Sequence, residues 1–196
     1  MSLSRLPSVV VTLAAPGATA ADDREALLAA VAAAAAVDVS AVRAGRVCTH
    51  CGGTGHGRPW ATVDGSAVGV SLSRTTDLVA LAVGPAALGV DIERVSRVAA
   101  APVDAFAPRE AARAHGDAAE LAVLWTVKEA VLKRDGRGLR VDPRSVDVDL
   151  DRMVAVLDGV DHPVSVSFPA PDTVLAVAAD GVPVIVAGSG PRRRPR

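Results

Sequence analysis

A pair of carboxylates stands in the segment Gly89-Val90-Asp91-Ile92-Glu93. The apolar residues around the pair predict a strand, and because side chains alternate along a strand, Asp91 and Glu93 share one face. Carboxylates spaced about 6.6 Å apart along a strand are suited to hold a hydrated divalent cation. A solvated acidic face is the simpler interpretation, so this segment alone does not identify a metal site.

A second group of polar residues follows in the segment Trp125-Thr126-Val127-Lys128-Glu129-Ala130-Val131-Leu132-Lys133. In a helix, Trp125, Glu129 and Lys133 lie four residues apart and share one face. Lys128 and Lys133 are the only lysines among 21 basic residues. An ammonium is a compact point charge for a phosphate, and a neighbouring Glu can hold a metal or take a proton. Chance clustering and an exposed Glu129–Lys133 ion pair are the alternatives.

A third cluster comprises Cys48, His50, Cys51 and His56. Two thiols and two imidazoles are ligand types that Zn²⁺ takes. Zinc ligands usually come as two pairs well separated in sequence, whereas these four lie within nine residues. We therefore favour a glycine-rich loop that leads to Arg58 and Pro59. The remaining histidines, His115 and His162, are predicted to be surface residues.

The first two segments together resemble the 4'-phosphopantetheinyl transferases, specifically the surfactin-type branch. That family has Gly-[Ile/Val]-Asp-x-Glu on a strand and then Trp-[Ser/Thr/Cys]-x-Lys-Glu-[Ala/Ser]-x-x-Lys on a helix, and residues 89–93 and 125–133 match every position. The resemblance covers about residues 24–186 and is strongest from 88 to 150. It implies transfer of the 4'-phosphopantetheine arm of coenzyme A to a serine of an apo acyl or peptidyl carrier protein, with release of 3',5'-ADP. It also implies a place in secondary metabolism.

The resemblance further implies roles for individual residues. Mg²⁺ would be bound by Asp91, Glu93 and Glu129. Glu129 would also accept the serine proton and Lys133 would neutralise charge on the phosphate, so Asp91, Glu129 and Lys133 are the predicted catalytic residues. The predicted coenzyme A ligands are Arg24, Arg58, Pro59, Ser73, Arg74, Lys128 and Lys133.

Three departures from the family pattern bear on substrate binding. The first helix retains only Arg24 as a candidate for the 3'-phosphate of coenzyme A, and Arg74 replaces a histidine of the family. Asp91 and Trp125 are 34 positions apart, which is short for the family. The alternative function is therefore a catalytically weakened member of the same fold that binds a carrier protein or coenzyme A.

Composition excludes several classes of protein. A formal net charge of −1 and an aromatic content of 2% do not support a nucleic-acid partner. Two cysteines cannot build a disulfide framework, and no apolar run is long enough for a membrane span. Residues 8–20 resemble a short signal sequence, but the single Arg5 before them favours a buried first strand. We expect a cytoplasmic monomer without nucleic-acid or membrane partners.

The order of apolar runs and turns predicts an α+β fold of two similar, pseudo-dimeric α/β halves, each a helix packed on an antiparallel sheet. The halves are predicted at residues 1–86 (trimmed, coenzyme A anchoring) and 87–188 (metal and catalytic motifs), with a disordered basic tail at 189–196 and the site at the junction. Predicted strands lie at 7–13, 68–73, 78–83 and 88–95, predicted helices at 24–37, 108–115 and 118–134, a loop at 45–59, and five short strands between 145 and 186.

Overall fold

The computed structural model describes residues 6–48, 50–100 and 104–187, and the α+β class is confirmed there by two β-sheets with four α-helices. The predicted basic tail lies outside the described residues. The strands are β1 (Val9–Ala14), β2 (Val42–Val47), β3 (Arg58–Val63), β4 (Ser66–Arg74), β5 (Val79–Gly84), β6 (Gly89–Arg94), β7 (Asp147–Asp149), β8 (Val154–Leu157), β9 (Val160–Ala170), β10 (Thr173–Ala178) and β11 (Val184–Ala187). The helices are α1 (Ala20–Ala35), α2 (Val95–Ala100), α3 (Pro108–Ala114) and α4 (Ala118–Asp135). No described helix is both long enough and apolar enough to cross a membrane.

The first sheet takes strands β1 to β5 and the second takes β6 to β10, while the last strand departs from this chain order. Their strand orders are β11-β1-β5-β4-β3-β2 and β6-β10-β9-β8-β7. The last strand returns to the first sheet, where Val184 of β11 lies opposite Val9 of β1 in a parallel pair. The prediction of an antiparallel sheet is therefore wrong at this edge, because the C-terminal segment supplies a parallel strand to the N-terminal sheet. Whether the two parts are similar halves stays a prediction.

Three apolar clusters hold these layers together. Helix α1 covers one face of the first sheet, with Leu27 and Val31 in the same cluster as Leu81 of β5. Helix α4 covers the second sheet through a cluster that includes Val127, Val131 and Ala176.

The third cluster lies between the two sheets and is built from β1, β5, β6 and β10, with Val11, Ala82, Ile92 and Val177 among its members. Burial of these side chains is the main source of stability and holds β6 beside the first sheet.

The predicted ends are correct for α4, whereas the predicted start of α1 is too late. Asp117 caps α4 by accepting hydrogen bonds from the backbone of Ala119 and Glu120, and Gly136 ends the helix at a φ of 92°. Helix α1 begins earlier than predicted, because Thr19 forms a capping box with Asp22. Asp22 and Asp23, which precede the predicted helix start at residue 24, therefore lie within the first turn of α1.

Strand β2 and helix α2 were missed by the pattern analysis. β2 lies partly in the segment predicted as a loop, and its register with β3 places Gly45 opposite Trp60. The Trp60 ring covers Gly45, where an added Cβ would lie 3.0 Å from the indole. Cross-strand pairing thus stabilises a segment that has no alternating apolar pattern of its own.

The side chain of Lys128 is fully buried and belongs to the structural core. Its ammonium lies 2.9 Å from Glu110 Oε2 and donates to the carbonyl oxygens of Pro143 and Val146 at 3.0 and 2.5 Å. Loss of hydration lowers the pKa of Lys128, and the contact with Glu110 opposes that effect. The predicted contact of Lys128 with coenzyme A is therefore wrong, since this side chain joins α4 to α3 and to the segment before β7.

Replacement of Lys128 by methionine should destabilise the protein strongly. Lys128→Met leaves the buried Glu110 carboxylate without its counter-ion, so we expect the free energy of unfolding to fall by about 3–5 kcal/mol. Urea unfolding measures this change. The matched control is Arg109→Ala, which breaks the exposed Arg109–Asp147 pair near the same helix and should change stability by less than about 1 kcal/mol. Equal effects of the two variants would contradict the structural role of Lys128.

His162 is the second residue whose surroundings differ from the expectation. It lies in β9 with only 6% of its surface exposed, and Arg134 Nη1 donates to its Nδ1 across 2.8 Å. Burial, followed by the charge of Arg134, lowers the pKa of His162 from its ordinary value of 6.5. The predicted surface position is correct for His115, which is exposed at the end of α3, and wrong for His162.

Stability should therefore fall on acidification through protonation of His162. Because its pKa is lower in the folded state, the unfolded chain binds the extra proton first, and stability that is present above pH 6.5 is lost as the pH falls through the folded pKa. His162→Asn keeps an acceptor for Arg134 but cannot titrate, so its unfolding free energy should depend less on pH in this window. Urea unfolding at several pH values measures the difference. The exposed control, His115→Asn, should show the same pH dependence as the parent.

Candidate active site

Helix α4 reaches β6 through a close contact at Gly89. A Cβ added to Gly89 would lie 1.9 Å from the carbonyl oxygen of Ala130, so only a residue without a side chain allows this approach. The contact sets the predicted polar face of α4 directly over the predicted acidic face of β6. The two sequence segments that carried the resemblance are therefore in contact.

Asp91 is the centre of the resulting polar cluster. It is 3% exposed, and its Oδ1 accepts hydrogen bonds from Ser73 Oγ and Lys133 Nζ, each at 2.6 Å. Lys133 Nζ also donates to Ser73 Oγ at 2.9 Å. Asp91 Oδ2 is buried without a hydrogen-bond partner in the described part of the chain. Burial raises the pKa of Asp91, although Lys133 and Ser73 oppose the shift.

Glu129 lies half-buried beside this cluster, four residues before Lys133 on α4. Within the residues that the structure describes, no hydrogen bond or ion pair engages its carboxylate. Burial and then the negative charge of Asp91 raise the pKa of Glu129 to about 7. A carboxylate with that pKa exchanges a proton readily near neutral pH, which suits a general base.

The carboxylate of Glu93 is engaged by two other side chains, Trp125 and Arg97. Its Oε1 accepts a hydrogen bond from Trp125 Nε1 at 3.2 Å, and both of its oxygens are engaged by the Arg97 guanidinium, with Arg97 Nε 2.8 Å from Oε2. Asp91, Glu93 and Glu129 do not bring three carboxylate oxygens together as a tight ligand group. The expected three-residue metal set is therefore only partly assembled, because an arginine of α2 occupies one member.

The remaining pair, Asp91 and Glu129, fits a divalent cation. An unpartnered buried oxygen at Asp91 and an unpaired carboxylate at Glu129 are hard oxygen ligands of the kind that Mg²⁺ prefers. Burial is the main cause of the raised pKa of both groups, with the charge of Asp91 adding to the shift at Glu129, and a bound cation would favour the ionised carboxylates.

A basic cleft of about 430 Å³ opens next to Lys133. Its cationic side chains are Arg46, Arg58, Lys133, Arg137 and Arg140, and no carboxylate is among the described residues that line it. Pro59 also lines the cleft, so three of the predicted coenzyme ligands (Arg58, Pro59 and Lys133) meet there. Arg58 Nη2 donates to the carbonyl oxygen of Arg134 at 3.1 Å, which joins β3 to the end of α4.

Sequence reasoning missed Arg46, Arg137 and Arg140 as lining residues of this cleft. Arg137 and Arg140 follow Gly136, and their density in the turn after the lysine helix was an available signal. Arg46 carried no such signal, because β2 was not predicted and its pairing with β3 brings the residue to the cleft.

Two other predicted coenzyme ligands lie elsewhere. Arg24 lines a cavity of about 480 Å³ that shares Arg46 and Leu72 with the basic cleft, and it donates from Nε to Ala44 O at 3.0 Å. Arg74 is paired with Asp23, with Nη1 3.1 Å from Oδ2, and also donates to Gly17 O at 3.0 Å. Arg74 thus ties β4 to the start of α1, and the structure does not bring it to the basic cleft. Ser73, by contrast, is bound between Asp91 and Lys133.

The cysteine- and histidine-rich segment forms the connection between β2 and β3. Ligand atoms of Cys48, Cys51 and His56 all lie within 4.8 Å of one another, and His50 is not part of that group. Backbone amides of Cys51 and His50 donate to the Cys48 sulfur and lower the pKa of this thiol to about 6. Cys48 and His50 both line the basic cleft, so this connection forms part of its wall.

Comparison with known proteins bears on the second sheet and its helices. A search of the curated proteins gave no match. Residues 87–157, roughly a third of the chain, match the family model of the 4'-phosphopantetheinyl transferase superfamily. The matched segment includes Asp91, Glu93, Glu129 and Lys133. The similarity to the 4'-phosphopantetheinyl transferase superfamily therefore covers residues 87–157.

Proposed function

We propose that the protein transfers the 4'-phosphopantetheine arm of coenzyme A to a serine of an apo acyl or peptidyl carrier protein and releases 3',5'-ADP. The observation that carries the proposal is the cluster of Asp91, Glu129, Lys133 and Ser73 at the edge of a basic cleft. The match at residues 87–157 supports phosphopantetheinyl transfer in general. The surfactin-type branch is part of the proposal, because a single chain supplies both sheets that border the site.

The basic cleft suits the phosphates of coenzyme A. A guanidinium binds phosphate through two parallel hydrogen bonds, and four arginines with one lysine line the cleft. Two of these cations already have carboxylate partners, since Lys133 is paired with Asp91 and Arg137 with Asp135 and Asp158. Arg58, at the rim between β3 and the end of α4, is the residue best placed to bind a phosphate beside Lys133.

The reaction requires a proton acceptor, charge neutralisation and positioning. The carrier serine attacks the phosphorus that bears pantetheine, and the P–O bond to 3',5'-ADP breaks as the new P–O bond forms. Glu129 accepts the serine proton on its free carboxylate, directly or through a water. Lys133, oriented by Asp91 and Ser73, donates to a phosphate oxygen as charge develops there.

Mg²⁺, when bound by Asp91 and Glu129 with Glu93 as the third candidate, would neutralise charge on the pyrophosphate. Asp91 then serves two partners, since Oδ1 holds Lys133 and Oδ2 is free for the cation. Use of Glu93 requires that its carboxylate leave Arg97.

One observation favours the second candidate function, which is binding of a carrier protein or coenzyme A without efficient turnover. The Glu93 carboxylate is held by Arg97 and Trp125 rather than presented to a cation. A protein in which this contact persists would bind the coenzyme in the basic cleft and transfer its arm slowly.

Mass spectrometry of a carrier protein separates the two functions. The purified chain is incubated with coenzyme A, Mg²⁺ and apo carrier proteins from fatty acid, polyketide and peptide synthesis. Transfer adds a phosphopantetheine group to the carrier and produces 3',5'-ADP. A complex with an unmodified carrier or with coenzyme A would support the second function, and absence of both binding and transfer would overturn the proposal.

Removal of the carboxylate of Asp91 or of Glu129 should lower turnover without loss of the fold. Asp91→Ala and Glu129→Gln are each expected to reduce kcat by on the order of 100-fold or more, because the transition state loses charge stabilisation or its base. The matched control is Glu120→Gln, the same change about two and a half turns earlier on α4 and away from the cluster, which should leave turnover unchanged. Normal turnover of Asp91→Ala would contradict the assignment.

Arg58 and Arg74 were both predicted to bind coenzyme A, but their replacement by alanine should have different effects. Arg58→Ala removes a charge from the cleft and should raise KM for coenzyme A by about tenfold or more with a smaller effect on kcat. Arg74→Ala leaves Asp23 without its counter-ion and should lower stability while KM stays near the parent value. Steady-state kinetics with urea unfolding measures both. A rise in KM for Arg74→Ala alone would show that phosphate binds on the α1 side.

A further inference from the structure

The connection between β2 and β3 is folded into a closed loop by its own backbone. Cys48 N donates to Gly53 O and Gly52 N donates to Cys48 O, each at 2.9 Å. At the far end, Gly57 has a φ of 97°, and a Cβ there would lie 2.4 Å from Val47 O. Only glycine permits this closure, which returns the chain beside Cys48 and brings His56 towards the two thiols.

We infer that Cys48, Cys51 and His56 form a Zn²⁺ site in this loop. Cys51 Sγ lies 3.4 Å from His56 Nε2, and the ligand atoms of all three residues are within 4.8 Å of one another. Zinc–sulfur and zinc–nitrogen bond lengths place tetrahedral ligand atoms about 3.5–3.8 Å apart. The three side chains therefore reach zinc geometry through small rotations.

The chemical types of the three ligands favour Zn²⁺ over Mg²⁺. Two thiols and one imidazole are ligands for Zn²⁺, whereas Mg²⁺ requires oxygen ligands such as those at Asp91 and Glu129. Three protein ligands leave a fourth position for water, since His50 lies outside the group. The close sequence spacing, which argued against zinc, is no obstacle here, because the turn at Gly52 and Gly53 and the closure at Gly57 bring near neighbours to different sides of one point.

The position of this site gives the metal a function in substrate binding, a consequence that rests on the proposed function. Cys48 and His50 line the basic cleft, and Arg58 and Pro59 follow the loop directly. A bound ion would fix one wall of the cleft and the start of β3. Loss of zinc should therefore weaken coenzyme A binding without removing the catalytic groups on α4 and β6.

Metal binding by the purified, reduced full-length chain tests the inference without any assay of activity. We expect about one zinc per chain after dialysis, and Co²⁺ in its place should show thiolate charge-transfer absorption with the intense visible bands of a tetrahedral ion. Cys51→Ser and His56→Ala should weaken Zn²⁺ binding by at least about 100-fold in competition with a chromophoric chelator. His50→Ala is the matched control from the same loop and should keep the parent affinity.

Several outcomes would overturn the inference. These are absence of zinc from the reduced parent, an octahedral Co²⁺ spectrum without thiolate absorption, and an equal loss of affinity for His50→Ala and His56→Ala. A chain isolated with a Cys48–Cys51 disulfide that takes up no zinc after reduction would also overturn it. The variants lie in an exposed loop, and thermal unfolding of each one verifies that a loss of metal is not a loss of fold.

The functional consequence is measured separately. Removal of zinc by a chelator should raise KM for coenzyme A severalfold and leave kcat near the parent value, and readdition of Zn²⁺ should reverse the change. An unchanged KM would contradict the proposed effect of zinc on coenzyme A binding, but it would not contradict the metal site itself. If the chain transfers no phosphopantetheine at all, the proposed function fails, while the stoichiometry and the Co²⁺ spectrum still decide the zinc site.

Discussion

The close approach of α4 to β6 is the constraint on which the site depends. Gly89 has no side chain, so the backbone of α4 at Ala130 comes within the space that a Cβ would fill. One turn further along the helix, Lys133 reaches Asp91 and Ser73, which lie on strands of different sheets. Because the helix and the strand approach so closely, their side chains form an ordered set of hydrogen-bond donors and acceptors. Any side chain at position 89 would lift the helix and separate Lys133 from Asp91.

The two lysines of the chain show how burial decides the role of a charge. Lys128 and Lys133 are five residues apart and leave α4 in different directions. The Lys128 ammonium contacts Glu110 and two carbonyl oxygens in a site without access to solvent. These interactions attach α4 to α3 and to the segment before β7. Lys133 is 28% exposed and faces the cleft, so its charge remains available to a ligand. The rarity of lysine in the sequence indicated two special positions, but only the fold distinguishes a structural role from a binding role.

Local patterns predicted what depends on local interactions. The ends of α4, the shared helix face of Glu129 and Lys133 and the β-hairpin of β4 and β5 follow from periodicity and turn residues. Contacts between residues distant in sequence were not accessible in this way. The parallel return of β11 to β1 spans nearly the whole chain, and Arg74 is drawn to Asp23 across 51 positions because α1 packs on the first sheet. The arginines of the cleft come from β2, β3 and the turn after α4, which no single periodicity connects.

Charge changes sign across Lys133, and this boundary is what the proposed reaction needs. On one side lie Asp91 and Glu129, two carboxylates whose pKa is raised mainly by burial. On the other side lie the arginines of the cleft, with no carboxylate among the described lining residues. Under the proposed function, the guanidinium groups of the cleft would bind the phosphates of coenzyme A, and Asp91 and Glu129 would hold a cation that supplies further positive charge. The polyanion and the cation then bind most favourably together, because each compensates the charge that the other leaves exposed.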